Sequence, residues 1–187
     1  MRSEMTLAEY AQELSDGELV ECAWKGSMDA FDTLVHRYRT RIYRLAFAMT
    51  QDHSAADELS QEAFVQAFRR IRQLRNPDRF GPWLRRTLVN LCIRYSSRTR
   101  PQPLEEDHAV ADCPSTIAET NLVRESVRQA VMSLDPVERA VVLLFYIERL
   151  KQAEIADALG CPVGTVWSRL SSARRKLRER LAEVIGT

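Results

Sequence analysis

The stretch from Gln152 to Leu177, QAEIADALGCPVGTVWSRLSSARRKL, restricts this chain more than any other. Ile155, Ala156 and Leu159 place apolar groups on one face of a short helix. Gly160 follows, a residue that takes the left-handed conformation at which helices end. Pro162 suits the first turn of a second helix, where its missing N–H costs nothing. Val163, Val166, Leu170, Ala173 and Leu177 then recur at three- and four-residue spacing, so the second helix also has an apolar face. Its other face carries Thr165, Trp167, Ser168, Arg169, Ser171, Ser172, Arg174, Arg175, Lys176 and Arg178. A short helix, a glycine turn and a longer basic helix form the outline of a helix-turn-helix, which lays its second helix in the DNA major groove. A plain helical hairpin with a solvated basic face has the same spacing. The second helix opens with small and hydroxyl residues and gathers its cations in later turns, where groove-wall phosphates would lie. That order favours the DNA reading.

The chain has 187 residues, enough for one or two domains, with 45% apolar and 28% charged residues, as expected of a globular protein. No window holds the run of ~20 apolar residues that spans a membrane. The first residues, MRSEMTLAEYAQELSDGELVE, are acidic and lack the apolar core of a secretion signal, which points to the cytoplasm and against membrane insertion. Cys22, Cys92, Cys113 and Cys161 are scattered, with no CxxC and no paired His, so no metal, cofactor or disulfide framework is expected.

The net charge of +1 conceals a strong asymmetry. Between Arg69 and Arg100 stand ten Arg against one acid, Asp78; between Pro101 and Glu125 stand six acids against one base, Arg124. A solvated face accounts for the acidic block. Ten Arg without a Lys fit a polyanion-binding surface better, since the planar guanidinium is the stronger ligand for phosphates and base edges.

Taken in order, Met1–Glu13 reads as a weak lead, and Ser15 or Asp16 caps a helix holding Leu19, Val20, Ala23 and Trp24 that Gly26 breaks. Ala30, Phe31, Leu34, Val35, Tyr38, Ile42, Leu45, Ala46 and Met49 mark a long amphipathic helix. Its outer face carries His36, Arg37, Arg39, Arg41 and Arg44. Ser54, with Asp57 three residues on, has the form of a capping box and opens the next helix. Its buried face is assigned to Leu59, Ala63, Phe64, Ala67, Phe68 and Ile71. Asp57, Glu58, Gln61 and Glu62 cluster off that face. Helix-dipole placement explains the acids, and no His, metal-spaced ligand or Gly-rich loop accompanies them, so a solvated or protein-docking face is preferred to acid–base catalysis.

The segment Arg75–Pro82 reads as a loop, and a further helix is expected from near Pro82. Trp83, Leu84, Thr87, Leu88, Leu91, Cys92 and Tyr95 lie on its inner side, and Arg85, Arg86, Arg94 and Arg98 on its outer side. A basic helix fed by such a loop suits single-stranded DNA. A polar linker follows. The next helix is expected over about Ile117–Ser133, with Leu122, Val123, Ser126, Val127, Ala130 and Val131 inward. Asp135-Pro136-Val137-Glu138 marks another helix start, with Asp as cap, Pro first and Glu completing the box. Val141, Val142, Leu144, Phe145 and Ile147 are assigned to its core.

These segments together resemble a family. GCPVGTVWSRLSSARRKLRERL is similar to the C-terminal DNA-binding region of bacterial sigma factors of the extracytoplasmic-function (ECF) type in the sigma-70 family. AADELSQEAFVQAF resembles that family's helix for the clamp of the large subunit of RNA polymerase. FGPWLRRTLVNLCIRYSSR resembles its helix that reads and opens the −10 promoter element. The resemblance implies an all-α fold: a region 2 domain over 1–98, a linker over 99–116, and a region 4 domain with the helix-turn-helix over 117–187. It implies a non-enzymatic initiation factor that binds core polymerase through clamp and flap, and binds promoter DNA. It further implies an anti-sigma factor as partner. By position match the clamp face falls on Asp57, Glu58, Gln61 and Glu62. Arg70, Leu74 and Asn90 match the pocket for a flipped-out base, and Arg86, Arg94 and Arg98, on the outer side of the helix that holds Asn90, complete the −10 candidates. The family's −35 reading positions fall on Trp167, Ser168, Ser171 and Ser172, and Thr165, Arg169, Arg174 and Arg175 of the same helix complete the −35 candidates.

The chain departs from the family pattern in places. Arg94 replaces a usual Asp, Ser97 a frequent basic residue, and Lys151 a frequent capping Ser. Trp167 and Ser172 stand where several relatives carry Arg, so bidentate Arg–guanine contacts are lost there and reading shifts toward Arg169, Arg174, Arg175, phosphates and groove shape. The competing reading is a stand-alone helix-turn-helix regulator, which would bind duplex DNA tightly without polymerase.

Overall fold

The computed structural model describes residues 14–98 and 115–185, with 115–122 and 183–185 as backbone only. The lead Met1–Glu13, the linker residues 99–114 with Cys113, and the Leu122 side chain lie outside the described residues. All regular structure among the described residues is helical. The chain divides into two compact units.

The first unit opens with α1 (Asp16–Trp24). Ser15 caps it: Glu18 N donates to Ser15 Oγ at 3.3 Å, and the Glu18 carboxylate accepts from Ser15 N at 2.8 Å. The same hydroxyl and amide hold the Glu18 carboxyl below the ordinary range. Gly26 turns the chain at φ +99, and Ser27 caps α2 (Met28–Thr50). Asp16 fastens α1 to α2, accepting from Arg37 Nη1 at 2.9 Å and from the Tyr38 hydroxyl.

Helix α3 (His53–Arg70) starts earlier than the expected capping box. Asp52 is the cap, its carboxylate accepting from Ala55 N at 3.0 Å, because Asp52 holds the extended backbone that a cap needs while Ser54 is already helical. The buried side of α3 is made of small residues, Ala55, Ala56, Ser60, Ala63 and Ala67. These let its backbone lie close along α2. The assignment of Phe68 to the core is overturned: it is 47% exposed, its ring set edge-on to Phe31 at 5.1 Å. Close backbone approach leaves no room for a large ring, so Phe68 stands at the rim, and Leu59 and Phe64 are half-buried.

After two short 3-10 turns, Ile71–Gln73 and Pro77–Arg79, α4 runs from Phe80 to Arg98, two residues ahead of the expected start. Trp24 Nε1 donates to the Ile71 carbonyl at 2.7 Å, tying α1 to the first turn. Phe80, Leu84, Leu88, Val89 and Cys92 fill the core beneath Leu19, Leu34, Leu45 and Met49. Arg85 corrects the sequence reading, being only 9% exposed. It stands three residues before Leu88 and four before Val89, on the buried stripe. Its charge acts on the Tyr38 phenol.

C-terminal to residues 99–114 follow α5 (Ser115–Met132), α6 (Pro136–Tyr146), α7 (Gln152–Leu159) and α8 (Val163–Ile185). Val123 and Val127 are exposed, against expectation, and α5 enters the core through Ala130, followed by Leu134. Asp135 caps α6, accepting from Val137 N at 2.9 Å, with Pro136 in first position. Glu138 does not complete a capping box; it is buried and turned toward α8. Arg139 is buried too, its Nη2 donating to the Met132 and Leu134 carbonyls, which closes the turn between α5 and α6. Ile147 lies one residue beyond α6 and is 61% exposed, not core. Ala140–Leu144 form the core face with Ile155, Ala156, Ala158, Val166, Leu170 and Ala173.

Candidate nucleic-acid and polymerase interface

In the first unit the acidic cluster occupies the N-terminal half of α3. Asp57, Glu58, Gln61 and Glu62 are all exposed, because the alanine face takes the opposite side of the helix. Gln66 Nε2 donates to Glu62 at 2.8 Å and steadies that carboxylate. Arg69 and Arg70 end the same helix, the arrangement its dipole favours. The helix thus offers acids at one end and cations at the other.

On α4, Arg86, Asn90, Arg94 and Arg98 follow at four-residue spacing, and all four are exposed. They form one stripe along the helix. Arg70 is exposed as well, whereas Leu74 is buried, so of the six −10 candidates Leu74 alone presents little side-chain surface. Three unbroken turns of guanidinium and amide groups on a rigid helix can track a phosphate backbone and reach base edges.

In the C-terminal part of the chain, α7 and α8 form the helix-turn-helix that the sequence implies. Gly160 takes φ +63 and ends α7. Cys161 N then donates to the Ala156 carbonyl at 3.1 Å and Gly160 N to that of Asp157 at 3.4 Å, the paired bonds of a left-handed helix stop. Pro162 sits just before α8 instead of within its first turn, its carbonyl accepting from Val166 N at 3.3 Å. At the start of α7, Glu154 supplies its half of a capping box, accepting from Lys151 N at 2.8 Å, while Lys151 has no side-chain acceptor to give the other half.

The −35 candidates fall on three sides of α8. Trp167, Ser171 and Arg174 lie along one flank, Ser168 and Arg175 on the crest, and Thr165, Arg169 and Ser172 along the other flank. Several are already engaged within the protein. Ser168 Oγ donates to the Thr165 carbonyl at 3.0 Å. Ser172 Oγ donates to Glu138 at 2.9 Å, and Lys176 Nζ to the same carboxylate at 2.7 Å. Arg174 Nε donates to the Tyr146 hydroxyl at 2.9 Å, with its guanidinium over the Phe145 and Tyr146 rings at 5.3 and 5.6 Å. Glu138, Phe145 and Tyr146 thus hold side chains of the candidate site, and sequence reading missed that part. Glu138 reads locally as a cap, and its contacts with Ser172 and Lys176 span 34 and 38 residues. The adjacent aromatics at the end of α6 were the available signal for the Arg174 cradle.

Among the described residues no group of His, Cys, Asp or Glu can hold a metal ion, and no helix is long and apolar enough to cross a membrane. Cys22, Cys92 and Cys161 are free thiols; burial pushes Cys92 up to about 12.

Two family models match the chain: Sigma-70 region 2 over residues 34–101 and Sigma-70 region 4 over residues 124–177. The ECF RNA polymerase sigma factor SigE of Mycolicibacterium smegmatis is 34% identical over 166 residues, which cover 85% of this chain and 64% of that one. The ECF RNA polymerase sigma factor SigW of Bacillus subtilis is 30% identical over 174 residues, covering 86% of this chain and 93% of that one. Among solved structures, CnrH in complex with the cytosolic domain of CnrY matches with a TM-score of 0.68 at 29% identity, covering 90% of this chain and 97% of CnrH. The chain therefore spans less than two thirds of SigE but nearly the whole of SigW. With both regions matched in order, and the exposed basic stripe and helix-turn-helix falling within them, the chain belongs to the ECF RNA polymerase sigma factors of the sigma-70 family.

Proposed function

We propose that this chain works in the cytoplasm as a promoter-specificity subunit, binding core RNA polymerase and directing it to promoters with −10 and −35 elements, without catalysis of its own. The observation that carries the reading is the match along nearly all of SigW, which covers both nucleic-acid-binding regions in one chain. A lone helix-turn-helix regulator needs only the second.

In this reading the domains run over 1–98 and 117–187 with 99–116 as tether. Asp57, Glu58, Gln61 and Glu62 dock on the polymerase clamp, their exposed carboxylates and amide giving a hydrogen-bonding surface that an apolar partner face would not satisfy. Arg86, Asn90, Arg94 and Arg98 follow the −10 strand, with Arg70 and Leu74 beside the flipped base. Helix α8 enters the major groove at the −35 element through Thr165, Trp167, Ser168, Arg169, Ser171 and Ser172, and Arg174 and Arg175 hold phosphates. Because CnrH was solved with the cytosolic domain of another protein, a partner that covers these faces and holds the factor inactive is the expected form of control.

Multi-round transcription in vitro, with core polymerase lacking any sigma and a genomic promoter library, tests the reading. Start sites sharing a −35 and −10 pair, seen only when the protein is added, are expected. Absence of initiation alongside tight duplex binding by the free protein would favour the stand-alone regulator.

A further inference from the structure

The N-terminal end of α8 carries two large apolar side chains where a DNA-reading helix usually carries polar ones. Val163 and Trp167 stand one turn apart, 45% and 63% exposed. Between them, Gly164 has nothing within 4 Å of where a Cβ would stand, so the surface around the pair is open. An indole exposed to this degree beside an exposed valine leaves apolar area in water that a base edge can cover.

The neighbouring polar groups define what that molecule presents. The Ser168 hydroxyl spends its one hydrogen on the Thr165 carbonyl at 3.0 Å, and the Ser172 hydroxyl spends its own on Glu138 at 2.9 Å. Held in this way, both oxygens are presented as acceptors to a base edge. Arg174, on the flank of Trp167, is seated on the Phe145 and Tyr146 rings two turns further along. The flank of the first two turns that bears Val163 and Trp167 therefore offers apolar surface, with the Ser168 oxygen beside it and Arg169 on the opposite flank. Guanine shows two acceptors, N7 and O6, in the major groove, and acceptors facing acceptors gain nothing. Thymine shows one acceptor, O4, and beside it a C5-methyl group, which no other base carries and which an exposed indole and a valine can bury. The cations Arg169, Arg174, Arg175, Lys176 and Arg178 on the same helix give the charge complement that commits this apolar tip to DNA and not to a protein surface.

We propose that Val163 and Trp167 are the specificity-determining pair of this factor, and that they select thymine in the −35 element by burying its C5-methyl group. The assignment rests on the reading of α8 as the −35 helix.

The test uses full-length protein with core polymerase, on promoter fragments in which each −35 thymine in turn is replaced by deoxyuridine. That exchange removes the methyl and leaves base pairing intact. Initiation is expected to fall about fourfold at one or two positions, the factor to which ~0.8 kcal/mol per buried methyl corresponds. In Trp167→Ala the difference between thymine and deoxyuridine is expected to vanish, and Trp167→Arg is expected to move the preference toward guanine. Because Trp167 is a surface residue, neither exchange disturbs the core. Deoxyuridine tolerated at every position, while block replacement of the −35 element still abolishes initiation, would overturn the proposal and leave the −35 reading standing. Initiation indifferent to block replacement would instead overturn the −35 reading and the proposal with it.

Discussion

Lys176 donates a 2.7 Å hydrogen bond to Glu138, a carboxylate buried at the base of α6, and thereby fixes α8 from the side facing away from Trp167. Ser172 donates to the second oxygen of the same carboxylate at 2.9 Å. One side chain of α6 therefore holds two positions of α8, one turn apart. Lys176 is about half exposed, which weakens the ionic part, while the Glu138 carboxylate is nearly covered. Glu138→Ala is expected to cost about 1–3 kcal/mol in urea unfolding, as for a buried hydrogen-bonded charge. Glu138→Gln keeps an acceptor for one partner and should cost less. Both should reduce initiation at promoters that need a −35 element more than at promoters with a strong −10 element.

Gly81 opens α4 against Tyr38, and a Cβ there would stand 2.5 Å from the Tyr38 hydroxyl and 3.0 Å from its ring. That ring packs edge-on against Phe80 at 5.5 Å, and its hydroxyl is bonded to Asp16, so it has no easy retreat. Gly81→Ala is expected to destabilise the first unit by about 1–3 kcal/mol through overpacking. In a Tyr38→Phe background the penalty should shrink, because the nearest atom is gone. A double-mutant cycle reads that coupling, and equal costs in both backgrounds would refute the contact.

Burial and the bond to Asp16 push the Tyr38 phenol up to about 12, and burial alone pushes the Cys92 thiol to about 12. Both groups are neutral when protonated, and folding raises both values. Their contribution to stability is therefore complete below the unfolded values, near 9 for the thiol and 10 for the phenol, and is lost as pH rises toward 12. The protein is expected to lose stability across that window in alkaline urea titrations. Tyr38→Phe and Cys92→Ala should each flatten the loss. At pH 8, Cys92 should resist a thiol reagent that labels Cys22 and Cys161, which are half-buried.

The helix-turn-helix was legible because its signals are local: Gly160 at a left-handed stop, and apolar residues at 166, 170 and 173 that are buried, with Val163 of the same periodicity left exposed at the start of α8. Ser15 with Glu18 was equally local. What was hidden depends on a second element. The sequence of α3 offers a stripe of large residues and a stripe of alanines, and the approach of α2 selects the alanines, leaving Phe68 at the rim. Arg85 belongs by composition with a run of exposed Arg, yet its place above Leu88 and Val89 carries it inward. Ile147 has the character of a core residue, but α6 ends one position before it. The engagement of Ser172, Lys176 and Arg174 with residues of α6 lies 28 to 38 positions away, beyond any periodicity.

Arg174 and Arg175 are neighbours in sequence with different physical situations, and that difference can be measured. Arg175 is exposed on the crest of α8, free of the contacts that hold Arg174 against Tyr146 and Phe145. If both face phosphates, Arg175 must lose rotamer freedom on binding, whereas Arg174 has already lost it on folding. Arg175→Ala should therefore weaken promoter binding by the holoenzyme almost equally across sequences and reduce the salt dependence by about one counterion. Arg175→Lys should recover most of it, since an exposed ammonium reaches a phosphate as well. Arg174→Lys should recover little, because an ammonium cannot span the flat Phe145–Tyr146 seat and donate to the Tyr146 hydroxyl in the same geometry. Binding measured at two or more salt concentrations separates the cases. Equal rescue by Lys at both positions would mean that the aromatic seat does not orient Arg174 toward DNA.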